Sequence, residues 1–111
     1  MALTRKDLGS RVAHQRATLG LPQKRVADHL GLPYPVFISQ WENGRSPIPA
    51  RYWVPLARLL AMDPTAFSVE CLAVYEPEAF EALFGGAEVS RVQVELIRLV
   101  VQQNAKETNV A

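Results

Sequence analysis

Residues 23–44 read QKRVADHLGLPYPVFISQWENG and contain the strongest indication of the fold. Gly31 lies near its middle, and glycine readily adopts the left-handed backbone that reverses a chain after a helix. Ala27 is small enough to let two helices approach closely, while Ile38 and Trp41 supply an apolar inner face for the second helix. The pattern predicts two short helices that cross through a tight turn.

Proline and glycine residues on both sides of this stretch predict five further helices. They cover residues 4–19 (or 7–19), 52–61, 64–75, 78–84 and 88–104, and the central pair covers about 22–31 and 35–43. Leu8, Val12 and Leu19 are expected on the inner face of the first helix. No segment alternates apolar and polar residues between turn signals, so no sheet is predicted. Trp41, Trp53 and Cys71 are expected in the core.

The composition suits one small domain without covalent or metal cross-links. The chain has 111 residues, 49% of them hydrophobic, and one cysteine, so it can form an apolar core but no intrachain disulfide. No cysteine or histidine cluster has metal-ligand spacing, and no cofactor or small-molecule ligand is expected. The absence of a signal-peptide core and of a long apolar run predicts a cytoplasmic protein without a membrane partner.

The charges are divided unevenly along the chain. Residues 1–60 contain nine Lys or Arg and three acids, whereas residues 61–111 contain three and eight, which gives +6 against −5. A basic half favours a polyanionic partner such as nucleic acid. No arrangement of nucleophile, base and acid is readable, so an enzyme is not expected.

Residues 8–67 resemble the Cro/cI-type (phage-repressor-like) helix-turn-helix regulators. The matching residues are Leu8-Gly9, Arg16, Gly20-Leu21, Gln23, Ala27, Gly31, Ile38-Ser39, Trp41-Glu42-Asn43-Gly44 and Leu56-Ala57-Leu60. The resemblance implies an all-α fold, a five-helix lambda-repressor-like domain with extra C-terminal helices, and double-stranded DNA as partner. One departure is a turn one residue longer than usual, containing Pro33-Tyr34-Pro35. The expected division is a DNA-binding domain over residues 1–67 and a helical extension over 68–111.

The resemblance also implies which residues meet DNA. The 35–43 helix would enter the major groove, and its base-contacting set would be Gln40, Val36, Tyr34, Phe37 and Ser39. Gln40 lies two residues before Glu42, and a glutamine amide can pair with adenine in a bidentate way. Tyr34 and Phe37 have two readings, because an aromatic side chain here could touch a thymine methyl group or pack into the lengthened turn.

A second set is implied at the DNA backbone and inside the domain. The phosphate contacts would be Gln23, Lys24, Arg25, Asn43 and Arg45. Arg16 and Glu42 would instead form a structural ion pair between the first helix and the recognition helix. No metal site and no catalytic residue is expected.

The segment 88–104, EVSRVQVELIRLVVQQN, has a broad apolar surface with helical spacing. We assign it to a homodimer interface, because helix-turn-helix proteins commonly pair to read two half-sites about 34 Å apart. The predicted interface residues are Val89, Val92, Leu96, Leu99 and Val100. The alternative is that this helix only closes the core of one chain over Phe80, Leu83 and Phe84.

Three functions are compatible with these features. The leading hypothesis is a dimeric repressor that binds an inverted-repeat operator; an activator would in addition contact RNA polymerase. A second is an antitoxin whose residues 64–111 bind a toxin. A third is a protein-interaction module without DNA binding, which salt-dependent DNA affinity would exclude.

Overall fold

The computed structural model describes residues 3–85 together with Leu99 and Gln102. Over these residues the chain is all-helical and contains no strand, as the sequence predicts. Six α-helices and one short 3-10 helix follow in order: α1 (Arg5–Thr18), α2 (Gln23–His29), α3 (Val36–Glu42), the 3-10 helix (Ala50–Tyr52), α4 (Trp53–Leu59), α5 (Pro64–Tyr75) and α6 (Pro77–Phe84).

Local hydrogen bonds explain where α1 and α5 begin. The Thr4 hydroxyl accepts from the Asp7 backbone N–H, and the Asp7 carboxylate accepts from the Thr4 N–H, so two otherwise unpaired donors of α1 are satisfied. These hydrogen bonds lower the pKa of Asp7. At α5 the Asp63 carboxylate accepts from the Ala66 N–H, and Pro64 occupies the first turn, where no N–H is required.

The apolar core draws on every helix from α1 to α5. Its fully buried members are Leu8, Val12, Val26, Ala27, Ile38, Trp41, Ile48, Leu56, Ala57, Leu60, Phe67 and Cys71. Cys71 belongs to α5, which crosses the expected boundary at residue 67. The packing is therefore continuous across that boundary, and the division at residue 67 stays a prediction about function.

The loop after α3 contributes to the core in a way that the sequence did not predict. Ile48, between two prolines, is 1% exposed, and its carbonyl oxygen accepts a hydrogen bond of 2.7 Å from the Trp53 indole. Trp41 is buried in the core as predicted, whereas Trp53 is half-buried and packs against the edge of the core.

Several predicted boundaries need correction. Leu19 is 42% exposed, because α1 ends at Thr18 and Gly20 then turns the chain with a φ of 69°. The expected 52–61 helix is shorter and follows a 3-10 turn. It ends where Ala61 adopts a φ of 55°, a left-handed conformation that the sequence does not signal because alanine disfavours it.

The predicted helix 88–104 lies almost entirely outside the described residues, as do the interface residues Val89, Val92, Leu96 and Val100. Leu99 is the exception: it is helical, and its side chain is 56% exposed. Within the described part of the chain, no helix combines the length and hydropathy needed to cross a membrane.

Candidate nucleic-acid interface

Helices α2 and α3 form the predicted pair, joined by residues 30–35. Gly31 has a φ of 73°, and a Cβ at this position would meet no atom within 4 Å, so the backbone conformation and not crowding calls for glycine. The Leu32 N–H then donates to the Ala27 carbonyl over 2.9 Å, which closes the end of α2. Pro33 and Pro35 restrict the rest of the turn, and α3 starts at Val36.

Helix α3 has one face in the core and one face toward solvent. Ile38, Trp41 and Glu42 are buried. On the other side Val36 is 51% exposed, and Tyr34, in the turn just before α3, is 64% exposed. The turn and the start of α3 therefore present the least covered apolar and aromatic side chains of the interface.

The other predicted base-contacting residues are more enclosed. Gln40 and Ser39 are half-buried, and Phe37 packs partly against the core. The Ser39 hydroxyl lies 3.4 Å from the Asn43 side-chain amide. The structure thus brings the five residues onto one stretch of turn and helix, with Phe37 also serving the packing of α3.

A hydrogen-bonded cluster holds the C-terminal end of α3. The Arg16 guanidinium donates to the Glu42 carboxylate through Nε (2.6 Å) and Nη2 (3.0 Å), and through Nη1 to the Leu21 carbonyl (2.9 Å). The Gln23 amide nitrogen also donates to Glu42, over 2.9 Å. We call Arg16, Gln23 and Glu42 the α3 clamp; it joins α1, the start of α2 and the end of α3.

Burial makes the α3 clamp more than a surface ion pair. The Arg16 and Glu42 side chains are 18% and 6% exposed. The hydrogen bond to Glu42 raises the pKa of Arg16, against the opposing effect of its partial burial. A paired and hydrogen-bonded charge is what burial requires, because an unpaired one would be strongly unfavourable.

Two glycines allow α1 to lie directly on the end of α3. A Cβ on Gly9 would overlap the Trp41 and Glu42 carbonyl groups, reaching 2.7 Å from the Glu42 carbonyl carbon. At Gly44, with a φ of 72°, a Cβ would lie 2.9 Å from the Lys6 backbone nitrogen. These approaches bring the N-terminal end of α1 beside the loop that follows α3.

The predicted phosphate contacts divide into two groups. Lys24 and Arg25 are exposed in the first turn of α2, and Asn43 and Arg45 are exposed just after α3. Gln23 is half-buried and engaged with Glu42, a bond that the sequence did not signal because the two residues meet only in the tertiary structure. Among the described residues no group of acidic, cysteine and histidine side chains could hold a metal ion.

A family profile described as a helix-turn-helix domain matches residues 7–67 of the chain. This range contains α1 from its third residue onward, α2 to α4 and the first four residues of α5, and it includes the α3 clamp. Comparisons with curated proteins and with solved structures found no match. The chain belongs to the helix-turn-helix domain family, and this membership supports a DNA-binding regulator.

Proposed function

We propose that the protein is a sequence-specific transcriptional regulator of the Cro/cI type, a dimeric repressor that binds an inverted-repeat operator with α3 in the major groove. The main evidence is a contrast between the two ends of α3. Its last residue, Glu42, is held in the α3 clamp, whereas Val36 at its start and Tyr34 in the preceding turn are exposed. A helix held rigidly at one end can present the other to base edges in a fixed orientation.

The charges around α3 support the same function. Lys24 and Arg25 in the first turn of α2 and Arg45 just after α3 are exposed cations, and residues 1–60 carry a net charge of +6. Such residues contact phosphates, and phosphate contacts position a protein on DNA without reading its sequence. Gln23 joins this group in our proposal, since one amide hydrogen serves Glu42 and the second can donate to a phosphate oxygen.

The repressor assignment follows from size. A compact protein bound across a promoter blocks access without further machinery, whereas an activator needs a surface for RNA polymerase. Action on DNA would place the protein in the cytoplasm, in contact with the nucleoid.

Gln40 offers the direct test of base reading. An operator is first selected from a random double-stranded library, and binding is then measured for the wild type and for Gln40→Ala. We expect the variant to lose about 1–3 kcal/mol on the selected site and to relax its preference at one base pair. Its affinity for random DNA should stay the same.

Lys24→Ala is the matched control. As a phosphate ligand, Lys24 should contribute equally to the affinity for all DNA sequences. Its removal should therefore weaken binding to selected and random DNA alike, and should reduce the number of ions released on binding by about one. Equal losses on selected and random DNA for Gln40→Ala would remove Gln40 from the reading set. Affinity that does not change with salt for the wild type would contradict DNA binding altogether.

A further inference from the structure

An apolar groove lies between α5 and α6, on the part of the chain that follows the helix-turn-helix core. Six of its eight lining residues are apolar and two are acidic: Leu3, Val69, Ala73, Val74, Pro77 and Phe80, with Glu70 and Glu81. Its volume is about 440 Å³. Leu3 and, on α6, Leu83 are 40% and 49% exposed. We call this concave surface the α5–α6 groove.

A second apolar side chain is exposed on the same chain. Leu99 is helical and 56% exposed, so a single chain does not bury it in its own groove. In the sequence, Leu99 belongs to the set Val92, Leu96 and Leu99, whose spacing predicts one apolar helix face in segment 88–104. The Leu99 side chain and the α5–α6 groove are thus both exposed in one copy.

We propose that the α5–α6 groove is the acceptor for segment 88–104 of a second copy of this chain. The inference rests on the proposed dimer and names the surface on which that dimer forms. Reciprocal docking fits a two-fold axis, in which each chain offers one groove and one segment. Each of the two grooves is then filled by the segment of the other chain, and no groove is left free for a third chain.

The groove is long enough for part of this occupant. A helix of 17 residues is about 25 Å long, whereas α5 and α6, which form the sides of the groove, have 12 and 8 residues and are about 18 and 12 Å long. The groove therefore covers roughly half to two-thirds of the predicted helix. A stable interface buries about 1,600 Å² in total, so each of two symmetric contacts must bury about 800 Å², counted over the groove, its rim and the segment that enters it.

A charge placed in the groove tests the surface. Ala73→Glu places a further carboxylate among the apolar lining residues, in addition to Glu70 and Glu81, whereas Ala79→Glu places one on the exposed side of α6 as a matched control. Sedimentation equilibrium should show a dimer dissociation constant raised at least about tenfold for Ala73→Glu and unchanged for Ala79→Glu. Both should keep the helical circular dichroism of the wild type. A dimer equally stable in the two variants would overturn the inference.

Disulfide cross-linking between different chains tests the occupant. One chain carries Ala73→Cys, another carries Leu99→Cys, and the two are mixed and oxidised. Cys71 can remain, because burial raises the pKa of its thiol to about 12 and leaves it unreactive at neutral pH. We expect a cross-linked species that contains one chain of each kind.

The other outcomes separate this inference from the proposed function. If the wild type is a dimer but only Leu99→Cys chains link to each other, the segments pair mutually and the groove assignment fails while the dimer stands. An intramolecular link in a chain with both cysteines, and none in the mixture, would assign the groove to the chain's own segment. If the wild type binds its operator as a single chain of 12.3 kDa, both the dimer and the groove assignment are contradicted.

Discussion

The two ends of α3 differ in how the fold holds them. At its C-terminal end, Glu42 accepts hydrogen bonds from Arg16 and Gln23 inside the α3 clamp, and α1 lies against its backbone at Gly9. At its N-terminal end, Val36 and the preceding Tyr34 are more than half exposed, and two prolines limit the turn. The C-terminal end of α3 is thus fixed by buried contacts within the domain, whereas its N-terminal end is accessible to a ligand.

This difference separates residues whose loss unfolds the protein from residues whose loss changes what it binds. A buried charge cluster contributes to stability through the cost of leaving any member unpaired. An exposed aromatic side chain contributes little to stability, because solvent already covers most of it. The contrast predicts opposite phenotypes for substitutions that act on the two ends of α3.

The largest expected effect comes from breaking the α3 clamp. Arg16→Ala leaves the Glu42 carboxylate buried without its cation and should lower the free energy of unfolding by about 3 kcal/mol. This value is at the lower end for a buried pair because the Arg16 side chain is 18% exposed. Urea denaturation measures it.

The control is Arg11→Ala, which removes a cation paired with Glu70 on the surface. We expect at most about 1 kcal/mol from that change, since exposed ion pairs contribute little. If Arg16→Ala melts like the wild type but no longer binds DNA, Arg16 is a phosphate ligand and the clamp is not a structural device.

A smaller effect is expected where α1 touches the end of α3. Gly9→Ala adds a methyl group where backbone atoms of Trp41 and Glu42 already lie, so the two helices must separate. Overpacking of this kind costs about 1–3 kcal/mol. Thermal unfolding would measure this loss of stability.

Ser10→Ala, one residue along α1 and exposed, is the control and should stay within about 0.5 kcal/mol of the stability of the wild type. Equal stability of the two variants would show that the approach at Gly9 is not tight.

The smallest effect on stability is expected at the other end of the helix. Tyr34→Ala should change the free energy of unfolding by less than about 0.5 kcal/mol, since the ring is 64% exposed. Under the proposed function it should nevertheless weaken operator binding, measured by fluorescence anisotropy. A Tyr34→Ala protein that is strongly destabilised would mean that the ring packs into the lengthened turn, which was the second reading of this residue.

Much of the fold could be predicted because it depends on local chemistry. Gly31 needs a left-handed backbone, Asp63-Pro64 starts a helix, and the inward spacing of Ile38 and Trp41 identifies one face of α3. Leu19 is predicted on the inner face of the first helix but is exposed, because α1 ends at Thr18 and the helical spacing no longer applies at residue 19. Ala61 was missed since its backbone conformation is one that local preference opposes.

Local patterns predict the helical class and the helix-turn-helix pair, because hydrophobic spacing and turn residues act over a few positions. The uneven charge follows from the composition of the two halves. Three features are visible only once the helices are packed: Gln23 turns toward Glu42, Ile48 enters the core, and α5 and α6 form a mostly apolar groove. These features join residues far apart in the chain. Their partners are selected by the packing of whole helices, and no local pattern of residues encodes that packing.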